Sequence, residues 1–279
     1  MPELPEVETI ARALRTGAKE TIEIVGREID RVELLWERTL AEPDARTFEQ
    51  IIQGQIVEDV GRRAKYLAIQ LSEDVLVIHL RMSGDIIVAK EPTDEVTHPR
   101  LVIHFKDGVK LYFNDPRKFG RVWLLEDTAQ LFAKLGPEPL DESLTAAQFH
   151  EMLAGRKRQL KALLLDQSFL AGLGNIYVDE SLFLAHLHPR TRSDEVSPVQ
   201  AEALLKGIRT VLQEGIRRNG ASIDWVYRGG DFQNHFNVYQ QTGEPCPVCG
   251  TPITRIIIAQ RGTHICPNCQ AHFDSLIEG

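Results

Sequence analysis

Leu135-Gly136-Pro137-Glu138-Pro139-Leu140 decides how the chain divides. Two prolines and a glycine in so short a stretch interrupt both helix and strand, so the segment is a stiff break between patterns. Before it, residues 21–36, 55–61, 65–71, 75–81, 85–89, 100–105, 109–114 and 120–125 read as strands, with turn signals such as Ser72-Glu73-Asp74 and Asp107-Gly108 between them. A short helix is predicted over 44–53. Another is predicted over 5–16, where Val7, Ile10, Ala11 and Leu14 recur at helical spacing and Gly17 stops the pattern. After the break the spacing is helical at 145–154, 157–166, 176–185 and 198–218, and from 236 short strands return around the cysteines. The expected class is α+β, in three parts. These are an antiparallel β-sandwich with an N-terminal helix over 1–135, a helical domain over 136–235, and a β-hairpin module over 236–279.

With 279 residues, 43% of them hydrophobic and 26% charged, the chain can bury more than one core. No apolar run approaches the ~20 residues needed to cross a bilayer. The acidic, proline-containing start is unlike a signal peptide, so a cytosolic protein is expected. A net charge of −8 gives no general attraction to polyanions. Any nucleic-acid site must therefore be a local patch.

All four cysteines fall near the C-terminal end, as Cys246-Pro-Val-Cys249, sixteen residues, then Cys266-Pro-Asn-Cys269. Two such pairs offer four thiolates to one tetrahedral ion, the arrangement of a structural zinc ribbon with no coordination position left for water. Between them, Thr254–Ala259 and Thr263–Ile265 read as arms of a hairpin whose tip, Gln260-Arg261-Gly262, presents Arg261 outward.

The other end begins Met1-Pro2-Glu3-Leu4-Pro5-Glu6-Val7-Glu8. If Met1 is removed, Pro2 carries a secondary α-amine, which titrates near ~8 against ~10.4 for lysine and so has about 200-fold more neutral form at neutral pH. Attack by such an amine on a sugar anomeric carbon gives a cationic iminium that promotes elimination. Glu3 and Glu6 stand close by as acid/base groups. The same residues also make an ordinary helix start, with proline and acids in the first turn.

Four further stretches carry candidates. Ala171-Gly-Leu-Gly-Asn175-Ile-Tyr177 precedes a helix and can present backbone N–H groups to a phosphate, or serve as a tight interhelical turn. Gly61-Arg-Arg-Ala-Lys65-Tyr-Leu, His79-Leu-Arg-Met82-Ser-Gly84 and Asp115-Pro-Arg117-Lys-Phe119-Gly120 lie at strand ends or loops. Singly these are ordinary surface charges and packing residues. Together they supply cations for phosphates and apolar wedges for a base stack, as extraction of a nucleotide from a duplex requires.

In this order, with Leu135–Leu140 and Asp166–Glu180, the motifs resemble the bacterial formamidopyrimidine-DNA glycosylases, of the helix–two-turn–helix superfamily shared with endonuclease VIII. The resemblance runs nearly end to end. It implies that the helical domain is a helix–two-turn–helix domain and that the chain is a base-excision repair glycosylase and AP lyase with one structural zinc ion. It implies a monomer acting on damaged double-stranded DNA, with no membrane partner. Pro2 would be the nucleophile at C1′, Glu3 the acid/base group and Glu6 a supporting carboxylate. Lys65 and Arg261 would also belong to the catalytic set. Lys65, His79, Asn175 and Arg261 would grip phosphates, with Tyr177 in the same DNA-binding stretch. About four neutralised phosphates would give a salt slope of roughly −3.6. Met82, Arg117 and Phe119 would fill the vacated stack, Arg117 facing the orphaned cytosine. Strand scission by β- then δ-elimination would follow.

The sequence departs from the family pattern at 219–233, which is somewhat shorter than in better-known members and has Asp224 where they often carry a basic residue. Preference among 8-oxoguanine, formamidopyrimidines and oxidised pyrimidines is left open by that difference. An endonuclease VIII-like specificity is the alternative, against which the Met82, Arg117 and Phe119 set speaks, and a non-catalytic lesion-binding protein is the further one. A second departure is Ala64, where glycine is common, and little effect is expected from it.

Overall fold

In a computed structural model, residues 1–18, 21–222 and 229–271 are described. The chain forms two compact units: Met1–Ala133 with Asn219–Gly230, and Lys134–Arg218 with Asp231–Gly279.

The first unit opens with α1 (Leu4–Thr16), which has Pro5 in its first turn and ends on Gly17 at φ 69°. A helix of this length is marginal alone. Leu4, Val7, Ile10, Ala11 and Leu14 are buried, and each large side chain contributes about 1.5–3 kcal/mol, so packing fixes α1 in place. It lies on β3 (Val57–Arg63) and β4 (Tyr66–Leu71). The remaining elements are β1 (Ile29–Leu34), β2 (Leu40–Glu42), α2 (Ala45–Ile52), β5 (Val75–His79), β6 (Asp85–Ala89), β7 (Pro99–Phe105), β8 (Lys110–Asn114), β9 (Arg121–Leu125) and α3 (Ala129–Phe132). One sheet has the order β2-β9-β5-β4-β3 and the other β1-β7-β8-β6, and residues of both join α1 and α2 in one core cluster. Pairing is antiparallel except for the short β2–β9 pair. β4 alternates buried and less buried positions, whereas the central β5 is buried from Leu76 onward and reads as a continuous apolar run.

The strand predicted over 21–36 shrinks to β1, because Gly26 at φ 82° turns the chain before Ile29. β2 was not foreseen, since three residues show no period.

Two chain segments cross from one sheet to the other at the same end. Residues 80–84 lead from β5 to β6, and residues 115–120 lead back from β8 to β9. His79 pairs with Arg121 in one sheet and Asp85 with Asn114 in the other, so the crossovers are neighbours by topology.

The second unit holds α4 (Ala146–Ala154), α5 (Leu160–Leu164), α6 (Asn175–Leu184), α7 (Pro198–Arg217) and the hairpin of β10 (Thr254–Ile258) and β11 (Arg261–Ile265). Thr145 with Gln148, and Ser197 with Gln200, form capping boxes that set the starts of α4 and α7. The helix predicted over 157–166 is shorter, as Gln159 is extended and bridges Arg192. The hairpin tip also differs from expectation. Ala259 and Gln260, at φ 48° and 59°, make the turn, and Arg261 is the first residue of β11, opposite Ile258.

Candidate active site and nucleic-acid interface

Pro2 is buried immediately before α1. Glu3 caps that helix through a capping box with Glu6, whose Oε2 accepts the Glu3 N–H at 2.8 Å. The other oxygen, Oε1, accepts the Ala221 N–H at 2.8 Å. Gly220, at φ 80°, lies so close that a Cβ there would stand 2.8 Å from the Glu6 side chain. Glu6 thus joins the N-terminal residues to the start of the 219–233 segment, and Gly230 closes that segment's other side by donating to Ser222 Oγ at 2.8 Å. Residues 223–228, including Asp224, lie outside the described residues. Glu8 extends the fastening along α1, accepting from Arg62 Nε on β3 at 2.9 Å.

Lys65 and His79 are both buried, and Lys65 precedes Tyr66, whose register partner is His79. Burial, then the charges of Arg81 and Lys65, push the His79 pKa down to about 3. The imidazole is therefore neutral. Its Nδ1 accepts the Arg81 N–H at 3.0 Å, which leaves the proton on Nε2 as an uncharged donor. Ala64, at the turn before Lys65, has φ 54°, which explains why glycine suits that position.

Met82, Arg117 and Phe119 sit on the two crossovers. Phe119 is 54% exposed and Met82 44%, and Arg117, two residues before Phe119, is exposed as well.

In the second unit, residues far apart in sequence meet. Asn175, the first residue of α6, donates from Nδ2 to the Gly262 carbonyl at 3.0 Å, beside the exposed Arg261. Lys161 Nζ reaches the same carbonyl at 3.2 Å and pairs with Asp179 at 2.6 Å, both side chains at 0% exposure. Asp179 in turn accepts the His264 N–H at 2.9 Å. A buried pair is kept only with good geometry and further hydrogen bonds, and here those bonds set the start of β11. Sequence reasoning missed Lys161 and Asp179. The available signal was a charge inside an apolar helical run, as in Gln159-Leu-Lys-Ala-Leu-Leu. Glu180 was missed for the same reason. Burial pushes its carboxyl up, and the N–H groups of Asn237, Val238 and Tyr239 pull the other way, so it anchors the approach to the cysteines.

The Tyr177 ring is fully buried and stacked on Phe232 with centroids 5.3 Å apart.

The Sγ atoms of Cys246, Cys249, Cys266 and Cys269 lie within 4.8 Å of one another. Cys246–Cys269 and Cys249–Cys266 stand at 3.9 and 3.4 Å, bracketing the about 3.8 Å between sulfurs bound tetrahedrally at ~2.3 Å from zinc. The Val248 and Cys269 N–H groups point at cysteine sulfurs at 3.4 Å, as the outer contacts of a zinc thiolate do. The site fits one structural zinc ion.

Three family models match in order: the formamidopyrimidine-DNA glycosylase N-terminal domain over residues 1–122, its H2TH domain over 135–226, and the zinc finger found in FPG and IleRS over 243–271. A formamidopyrimidine-DNA glycosylase of Chloroflexus aurantiacus is 46% identical over 97% of this chain and 98% of its own length. One of Symbiobacterium thermophilum is 44% identical over 97% and 89%. Among solved structures, MutM in complex with DNA containing carbocyclic 8-oxo-G superimposes with a TM-score of 0.89 at 36% identity, covering 97% of this chain and all of that one. The Lactococcus lactis enzyme bound non-covalently to DNA with an AP site gives 0.88 at 36% identity and the same coverage. A buried Pro2 beside the Glu3–Glu6 capping box, two sheets joined by crossovers that expose Met82, Arg117 and Phe119, and a four-thiolate hairpin thus coincide with matches along nearly the whole chain, which belongs to the formamidopyrimidine-DNA glycosylase family.

Proposed function

We propose that the chain removes oxidised purines, formamidopyrimidines and 8-oxoguanine, from duplex DNA and then cleaves the strand as an AP lyase. The observation that carries this reading is the N-terminal constellation: Pro2 buried at the head of α1, with Glu3 and Glu6 locked to each other. Once Met1 is gone, the Pro2 nitrogen lone pair bonds to C1′ as the glycosidic bond breaks and the base leaves with its electrons. Glu3 delivers the proton that opens the sugar ring, giving a cationic iminium. Loss of a 2′ proton expels the 3′ phosphate, and a second elimination expels the 5′ phosphate. Water then frees Pro2.

Lys65 and Arg261 are proposed as the cationic phosphate contacts, and His79 through Nε2 and Asn175 as uncharged ones. Met82 and Phe119 replace the extruded base, and Arg117 meets its widowed partner. Functionally the chain divides into a catalytic part, 1–135, a helix–two-turn–helix part, 136–235, and a zinc finger, 236–279. We place the enzyme as a monomer in the cytoplasm, where reduced thiols suit a zinc site. Among the described residues no helix is long and apolar enough to cross a membrane.

Excision measured side by side on 8-oxoguanine opposite cytosine and on thymine glycol tests the substrate class. Faster release of 8-oxoguanine is expected, and a clear preference for thymine glycol would replace the reading with an oxidised-pyrimidine specificity.

A further inference from the structure

Asp115 is wholly buried and sits at the start of the β8–β9 crossover. Oδ1 accepts the Ser83 hydroxyl and, at 3.2 Å, the Arg117 N–H, and Oδ2 accepts the Gly120 N–H at 2.8 Å. Ser83 belongs to the other crossover, directly after Met82, and its Oγ also accepts the Arg117 N–H at 3.3 Å. The backbone carbonyl of Asp115 receives Lys118 N–H at 3.3 Å and Arg100 Nε at 2.7 Å.

The two crossovers also share a floor. Gly84 and Gly120 both lie against the buried Phe113 ring, where a Cβ would come within 2.8 and 2.2 Å of ring carbons. Neither loop can shift without moving that ring or breaking the carboxylate's bonds. Lys118, at φ 60°, is further held over the Trp36 ring at 4.1 Å.

We propose that Asp115 is a positioning residue which, through Ser83, makes Met82, Arg117 and Phe119 act as one insertion unit. The proposal rests on reading those three residues as the stack-filling set. It assigns to Asp115 no contact with DNA. A buried carboxylate that satisfies donors on two loops is strong enough to fix them, since hydrogen bonds to charged groups exceed neutral ones. Its effect is expected at the step that empties the stack, not at the chemistry on Pro2.

Ser83→Ala removes the bridge and leaves the other bonds of Asp115 in place. The measurement is single-turnover kinetics on two duplexes: one containing 8-oxoguanine beside 2-aminopurine, whose fluorescence reports the loss and refilling of stacking, and one containing a preformed abasic site. Ser83→Ala should slow the fluorescence change and base release about tenfold, the worth of one such hydrogen bond, while abasic-site cleavage stays within about twofold. Asp115→Asn should act in the same direction, and the double variant should be less than multiplicative. Thermal unfolding checks that each variant is folded, and if Asp115→Asn is not, Ser83→Ala alone decides. Wild-type rates for Ser83→Ala on both duplexes, or equal losses on both, overturn the proposal. Met82→Ala and Phe119→Ala, run in parallel, separate the two levels: if they leave base release unchanged, the stack-filling reading fails, and if they slow it while Ser83→Ala does not, only the role of Asp115 falls.

Discussion

At the scale of the residue, conformations and protonation states matter that composition does not reveal. Ala64 occupies the left-handed region at φ 54°, which costs an L-residue with a Cβ about 1–2 kcal/mol. Ala64→Gly should therefore raise the unfolding free energy by about 0.5–1 kcal/mol once the flexibility of glycine is subtracted, measurable by urea denaturation. The sequence reading gave this position little weight, because φ cannot be read from a side-chain type. His79 is held neutral, its pKa pushed down to about 3, whereas unfolded it titrates near 6.5. The unfolded chain thus binds more protons between those values, and stability rises with pH there by up to about 1.4 kcal/mol per unit. His79→Gln should flatten this acid limb between pH 6 and 4 in denaturation curves. A slope unchanged by the substitution would contradict the buried neutral imidazole.

At the scale of the element, what was legible followed a period or a cap. α1, α4 and α7 were placed to within a residue or so from apolar spacing alone, and the Thr145 and Ser197 capping boxes account for where α4 and α7 begin. β2 and the true hairpin turn at Ala259-Gln260 were not legible, since a three-residue strand and a turn without glycine carry no signal. Lys161 and Asp179 were hidden because a charge in an apolar run looks like an interruption until its partner is seen. The four-thiolate hairpin was the most legible element and carries a direct prediction. Phe183 and Val238 join Cys246, Ile253 and Cys266 in a cluster of only a few buried apolar side chains, too small a core to fold without metal. Chelating the zinc should abolish hydrogen-exchange protection in β10 and β11 while α7 keeps its own, and DNA affinity should fall with it. Protection that survives verified metal loss would show the hairpin to be self-sufficient.

At the scale of the whole molecule, the chain must bind a polyanion with a net charge of −8. The sequence reading counted Lys65, His79, Asn175 and Arg261 alike as phosphate contacts and reached a salt slope near −3.6. Counterion release follows cationic contacts, and His79 and Asn175 are uncharged, so this set supplies roughly −1.8. Arg261→Gln should flatten the measured slope of log K against log salt by about 0.9, whereas Asn175→Ala should weaken binding with the slope unchanged. The break in pattern at 136–139 was readable from composition, whereas the two compact units part between Ala133 and Lys134 and the first takes in residues 219–230. The packing of Gly220 and Ala221 on Glu6 was not readable, because nothing local in that stretch names a partner more than two hundred positions away. The central claim, a prolyl amine at the reacting sugar, can be tested on the intact enzyme. Borohydride reduction during turnover on an 8-oxoguanine duplex, followed by peptide mapping, should locate the covalent DNA adduct on Pro2 in a chain lacking Met1. Pro2→Gly should lose most of the adduct. An adduct mapped to a lysine, or an active enzyme that retains Met1, would contradict the account.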